Sequence, residues 1–245
     1  MKRPSKVRVD ALVVEKGLAP SRAKAQALIM TGNVLVNGQV LDKAGKEVDP
    51  ESVITVKETL PFVSRGGVKL AGFLDSENMA VEGLTAIDIG SSTGGFTDCL
   101  LKRGARKVYA VDVGKGILDV SLRNDPRVVV LEERNIRYMD PSEVGEKVDL
   151  AVIDLSFISL EKVLPKVREF MKEGATVLAL IKPQFEVGKG QVGKGGVVRD
   201  AEKHLAVVER IKEFSVSAGY SVVSTGASPI TGAKGNREFW IRLTV

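Results

Sequence analysis

Asp88-Ile89-Gly90-Ser91-Ser92-Thr93-Gly94-Gly95-Phe96 is the stretch on which the fold turns. It follows an apolar, β-rich run from Leu84 to Ile89 and leads into a helical pattern that starts over Thr97 to Leu101. The glycines therefore sit at a strand-to-helix turn, where a missing Cβ lets the backbone adopt positive φ and approach a ligand closely. Open parallel sheets bind ligands beyond the carboxyl ends of their strands, near the point where strand order reverses. About 20 residues further on, the run Lys107 to Val111 ends in Asp112, an acid placed where such sheets grip ribose hydroxyls.

Working outward, β-rich runs at Arg127 to Leu131, Leu150 to Asp154 and Thr176 to Ile181 alternate with helical patterns, and a last strand covers Glu238 to Val245. That alternation predicts an α/β domain, a parallel sheet with helices on both faces. Upstream, Pro61-Phe62-Val63-Ser64 reads as a linker, and Arg65-Gly66-Gly67 opens a helix. The domain boundary is placed there, giving domains 1–62 and 63–245. The first has a helix from Val9 to Leu18 stopped at Gly17, then a second capped by Ser21 and ending at Thr31-Gly32. Val34-Leu35-Val36 and Gln39-Val40-Leu41 flank Asn37-Gly38, a dipeptide suited to the type I′ turn of a hairpin. A strand at Val53 to Val56 completes a small α+β domain.

Hydrophobic residues make up 44% of the 245 and charged residues 27%, which excludes a mostly disordered or fibrous chain. The longest apolar run, near Ala175 to Ile181, falls far short of the roughly 18 residues that span a bilayer. No membrane association is expected, and the single cysteine, Cys99, fits a cytoplasmic protein without disulfides. No Cys/His cluster offers metal-ligand spacing, so no metal is expected. The net charge of +5 is concentrated early: Lys2, Arg3, Lys6, Arg8, Lys16, Arg22 and Lys24 stand against Asp10 and Glu15. Such density suits a phosphate backbone, and Arg8, Arg22 and Lys24 are the candidate contacts there.

The order of helix, helix, hairpin and basic N-terminal face resembles the RNA-binding domain of ribosomal small-subunit protein four, over about Lys6 to Leu60. The glycine loop reads D-x-G-x-x-x-G-G rather than the G-x-G-x-x-G that a pyrophosphate requires. It resembles the first motif of class I methyltransferases, a Rossmann-like fold. That resemblance implies S-adenosyl-L-methionine as cofactor, held by Asp88, Gly90, Ser91, Gly94, Gly95 and Phe96, with Asp112 on its ribose and Asn135 near its adenine.

Four polar residues occupy suggestive places: Lys69, Asp154, Lys182 and Glu238. Asp154 and Lys182 follow buried apolar runs and should project at the carboxyl edge of the sheet. Together the four resemble the Lys-Asp-Lys-Glu tetrad of FtsJ-like ribose 2′-O-methyltransferases, and the whole chain resembles the TlyA (haemolysin A) family of ribosomal RNA methyltransferases. The resemblance implies methylation of a cytidine ribose in 16S or 23S ribosomal RNA, naked or within subunits. Chemically, a ribose hydroxyl is a poor nucleophile and needs a base. A lysine whose pKa is lowered by burial and a neighbouring cation can serve, which pairs Lys182 with Lys69.

Arg65, Lys189 and Lys194 are further candidate RNA contacts, the last two on a Gly/Lys-rich loop from Gly188 to Gly196. That loop formally matches G-x-G-x-x-G, but Pro183 to Val187 separate it from the preceding strand, and Gly195 stands where a P-loop needs a hydroxyl. Cytosine-C5 methylation would need a nucleophilic cysteine, and Cys99 reads as a packing residue inside the cofactor helix. Amino methylation would need an Asn/Asp-Pro-Pro-aromatic motif where Asp154-Leu155-Ser156-Phe157 stands. His204 is expected at the surface or as a cap. Two rivals remain: a ribosome assembly factor that binds RNA without turnover, and a membrane-lysing haemolysin. The oligomeric state is not legible.

Overall fold

The computed structural model describes residues 6–30, 32–57, 60–188 and 190–245, and the chain divides after Leu60 into two compact units. Lys2, Arg3, Thr31 and Lys189 lie outside the described residues.

In the first unit, β1 (Val7–Arg8) leads into α1 (Val9–Glu15) and α2 (Arg22–Met30), followed by β2 (Val34–Val36), β3 (Gln39–Leu41), β4 (Glu47–Val48) and β5 (Ile54–Val56). The helices meet through Val9, Leu12, Val13, Ala25 and Ile29, which pack with Val34, Leu41 and Val48 into one small core. The β2–β3 hairpin closes on Asn37 (φ 49°) and Gly38 (φ 79°), the positive angles a type I′ turn requires. β5 adds to the other side of β2, and β1 pairs with β4. The two-residue strands β1 and β4 are too short to leave a periodic signal in the sequence.

The second unit holds α3 (Arg65–Ser76), β6 (Thr85–Ile89), α4 (Gly95–Lys102), β7 (Lys107–Val111), α5 (Val120–Arg123), β8 (Val128–Leu131), β9 (Val148–Ile153), α6 (Leu164–Val167), β10 (Met171–Ile181), α7 (Pro183–Glu186), α8 (Ala201–Ser217), β11 (Ser221–Ala227) and β12 (Phe239–Thr244). Phe62 and Val63 already pack against its core. Its seven strands lie in the order β11-β12-β10-β9-β6-β7-β8, parallel except for β12, which runs against both β10 and β11. This is a Rossmann-like sheet whose central strands are buried on both faces and whose edge strands are half-exposed. Along β6, Ile87 and Ile89 enter one core with Tyr109, Leu164 and Ile211, while Ala86 enters the other with Leu70, Leu100 and Trp240. Successive side chains on a strand point to opposite faces, so one strand feeds two cores.

From β6 the chain proceeds to β7 and β8 on one side and to β9 and β10 on the other. Strand order therefore reverses between β6 and β9, and the crevice beyond their carboxyl ends is where such a sheet receives ligands. Because β12 is antiparallel, its start lies at that same edge. Phe73 and Phe96 stack on Trp240 at 4.9 and 5.5 Å, locking α3 and α4 against the sheet beneath the crevice.

Candidate active site

β6 ends at Ile89 and the chain turns at once through Gly90 (φ 85°), whose amide and that of Ser91 donate to the Val111 carbonyl at 2.9 and 3.1 Å. A Cβ at Gly90 would stand 2.7 Å from the Asp154 carbonyl oxygen, so glycine is what lets β6 and β9 end side by side. Gly94 (φ 96°) forms the N-cap of α4, and Gly95 packs against Ser64, which caps α3 by accepting from the Gly66 amide. Asp88 is fully buried below the loop. Its Oδ2 accepts from the Thr97 amide (2.9 Å) and hydroxyl (2.7 Å), while Oδ1 has no partner among the described residues. Loss of solvent pushes its carboxyl up to about 7, against the Thr97 hydrogen bonds that favour the charged form.

Asp112 stands just past β7, its Oδ2 accepting from the Ser92 amide and Oδ1 from the Gly114 amide, each at 2.8 Å. These bonds fix the carboxylate and leave lone pairs for hydroxyl donors. It lines a cavity of about 230 Å³ with Gly90, Val111, Asn135, Ile136, Leu155 and Ile158. Asn135 is exposed at the mouth, its Oδ1 capping the Arg137 amide at 3.1 Å. A carboxylate at the rim and aliphatic walls behind it form a slot suited to a ribose bearing a flat base. Phe96 is buried, stacks on Trp240 and lines the adjoining cavity.

That second cavity, about 310 Å³, shares Gly90 and Ser156 with the first and is lined by Lys69, Ser91, Gly95, Asp154 and Lys182. Asp154 and Lys182 directly follow β9 and β10, and Lys182 keeps an extended backbone before Pro183, which begins α7. The Lys182 ammonium lies 2.5 Å from Asp154 Oδ1 and 3.2 Å from the Ser156 hydroxyl. The contact with Asp154 is a close ion pair off the hydrogen-bonding direction, since Oδ1 carries no directed bond. Lys69, on α3, donates to Glu238 Oε2 at 2.6 Å, both side chains nearly withdrawn from water. Gly232 covers that carboxylate so closely that a Cβ would fall 1.8 Å from Oε1. The four residues thus form two carboxylate–ammonium pairs, and three of them line one cavity. The expected neighbour of Lys182 is Lys69; its direct partners are Asp154 and Ser156.

The structure also brings in a residue that sequence reasoning missed. Phe157 is 88% exposed with φ 65°, one step beyond Ser156, its ring 4.8 Å from that of Phe185. Its ring is open to solvent next in sequence to Ser156, which lines the second cavity. Arg65 donates to the Thr231 carbonyl at 2.9 Å on the wall of the same cavity. In the first unit, Arg8 and Arg22 both grip the buried Asp10, Arg8 at 2.8 and 3.0 Å and Arg22 at 3.1 and 3.3 Å, with Gln26 as a third donor. The Arg8 hydrogen bonds hold Asp10 well below the usual carboxylate range. Lys24 and Lys194 are exposed.

Two residues set aside in the sequence have clear positions. Cys99 is buried in the core, where desolvation pushes its thiol up to about 12, far from a nucleophilic thiolate. His204 is not at the surface, as expected, but 4% exposed. Its ring packs on Phe239, and Nε2 donates to the Val198 carbonyl at 2.9 Å. The turn preceding α8 folds back over the first helical turn, which periodicity does not reveal.

A family model described as FtsJ-like methyltransferase matches residues 62–244, and one described as S4 domain matches residues 7–54. The 16S/23S rRNA (cytidine-2'-O)-methyltransferase TlyA of Mycobacterium tuberculosis is 48% identical, over 97% of this chain and 90% of its own length. Hemolysin A of Brachyspira hyodysenteriae is 40% identical, over 95% of this chain and 98% of its own. A solved structure from Streptococcus thermophilus, described as a hemolysin candidate, superposes with a TM-score of 0.76 at 44% identity, covering 98% of this chain and 88% of that one.

Proposed function

Because the chain belongs to the FtsJ-like methyltransferase family, we propose that it is a ribosomal RNA (cytidine-2′-O)-methyltransferase in which Lys69, Asp154, Lys182 and Glu238 are the catalytic residues. S-adenosylmethionine is the donor, and when bound it supplies an electrophilic methyl group. The fit rests on the glycine turn that only Gly90 can make, the unpartnered Asp88 Oδ1 beneath it and the Asp112 carboxylate at the rim of an aliphatic slot. We assign Asp88, Gly90, Ser91, Gly94, Gly95, Phe96, Asp112 and Asn135 to holding the donor, Phe96 by supporting the loop from below.

One observation carries the catalytic reading: Lys182 stands between Asp154 and Ser156 in a cavity that shares Gly90 and Ser156 with the nucleoside slot. A ribose 2′-oxygen in the second cavity would face Lys182 Nζ. To act as base Lys182 must first give up its proton; its amine then takes the hydroxyl proton while the oxygen bonds to the methyl carbon and the carbon–sulfur bond to the donor breaks, leaving a neutral thioether. Asp154 and Ser156 hold Nζ in place and stabilise the ammonium that forms. The Lys69–Glu238 pair fixes the opposite wall and presents an ammonium to the substrate ribose. General-base help is worth typically about 10² to 10⁴-fold, and alignment of the oxygen with the methyl carbon adds to it.

On the acceptor side, Phe157 receives a base, and Arg65 and Lys194 meet phosphates. The basic first unit captures ribosomal RNA or an assembled subunit, and the second unit, which begins at Pro61 rather than at the expected residue 63, transfers the methyl group. Among the described residues no helix is long and apolar enough to cross a membrane. The reading is of a cytoplasmic enzyme. Incubation with methyl-labelled donor and ribosomal RNA, followed by alkaline hydrolysis, tests it: a 2′-O-methylated linkage resists alkali, whereas a methylated base leaves the chain cleavable.

A further inference from the structure

We propose that a cationic cavity on the far side of the loop carrying Glu238 binds a backbone phosphate of the substrate RNA next to the target ribose. The inference rests on the ribose-methylating role above and adds a site to it. Arg199, Lys234 and Arg237 line a cavity of about 300 Å³ whose wall includes the buried His204, and no carboxylate lines it. Among the described residues, none of these three cations takes part in an ion pair or a side-chain hydrogen bond, and all three are exposed. Unneutralised cations crowded about one hollow repel each other, and a phosphate relieves that repulsion.

The hollow is held in shape from beneath. Asn236 is buried and bonds both of its walls: Nδ2 donates to the Gly196 and Ala233 carbonyls at 3.0 and 3.1 Å, and Oδ1 accepts from the Val198 amide at 3.2 Å. His204 secures the Val198 carbonyl from the helix side. Lys234 adopts φ 56°, a left-handed conformation costly for a residue with a Cβ, and its ammonium reaches over Gly196 of the opposite wall. The loop is also a shared partition. Thr231, Gly232 and Ala233 face the catalytic cavity, and Lys234, Gly235 and Arg237 face the cationic one. A strand whose ribose lies against Lys182 has only this loop to cross for its next phosphates to reach the cations.

The test neutralises the site in the full chain, R199Q/K234Q/R237Q, beside a control that removes the same charge at the opposite sheet edge, K147Q/K166Q/K172Q. All of these side chains except the half-buried Lys166 are exposed, and equal melting temperatures confirm that both variants fold. Binding of 16S and 23S transcripts is measured against salt, with donor binding and methyl transfer read in parallel. The expected result is about tenfold weaker RNA binding for the site variant alone. Its log-affinity against log-salt slope falls by about 0.7 for each phosphate lost, and donor binding is unchanged. Equal RNA affinity and slope in wild type and site variant, or the same loss in the control, would overturn the site. If the wild type binds RNA but methylates no ribose, the catalytic reading falls while the binding comparison still decides this one.

Discussion

Lys182 is the residue on which the chemistry depends, and its neighbours define how to test it. Lys182→Ala is expected to lower methyl transfer by about 10² to 10⁴-fold while leaving donor affinity, measured by equilibrium dialysis, unchanged; near-normal turnover would remove it from the mechanism. Glu238→Ala acts differently, because it strands the Lys69 ammonium in a nearly dry site. Breaking a buried pair from one side costs on the order of 3 to 5 kcal/mol, so thermal unfolding should shift downward markedly, and less so for Glu238→Gln. Asp154 and Lys182 were legible in the sequence because apolar runs fix where strands end. The pairing of Lys69 with Glu238 spans 169 positions, and no local pattern encodes it. Phe157 was hidden for another reason: its exposure follows from a left-handed backbone at a loop tip, whereas composition reads phenylalanine as core.

At the level of elements, the glycine turn between β6 and α4 is the joint that creates both cavities. Gly90→Ala must either displace the Asp154 carbonyl or leave φ 85°, so it should weaken donor binding by about tenfold or more and lower the melting temperature. Calorimetric titration with S-adenosylmethionine reads the first effect, and unaltered affinity would mean that the turn does not shape the donor site. The parallel strands and the Asn37-Gly38 hairpin were readable because alternation and turn chemistry are local. β11 was not: Ser221-Val222-Val223-Ser224-Thr225-Gly226-Ala227 is a half-exposed, polar-interrupted edge strand, specified by its pairing with β12 rather than by its own composition.

Across the whole molecule, the two units carry buried carboxylates of opposite pH behaviour. Asp10, gripped by Arg8 and Arg22, is held below its unfolded value of 3.8, so its contribution to the first unit is present above that pH and lost in acid. Asp88 is raised from 3.8 to about 7, so the protonated form belongs to the fold; its contribution is complete below about 3.8 and is lost as pH rises through about 7. Between about pH 4 and 7, wild type should therefore lose stability relative to Asp88→Asn by up to about 1.4 kcal/mol for each rise of one in pH, as denaturant unfolding reads it. A flat difference would contradict the burial assigned to Asp88. Arg8→Ala should lower stability as well as RNA affinity, because Arg8 holds Asp10; a pure loss of RNA binding would mean that the guanidinium serves RNA alone. The central claim is ribose methylation driven by Lys182. Its most direct test gives wild type and Lys182→Ala the methyl-labelled donor with separated small and large ribosomal subunits, then maps label after alkaline hydrolysis. Alkali-resistant label on a cytidine ribose from the wild type, absent from the variant, is the expected result; label on a base, or donor binding with no transfer to either subunit, would contradict it.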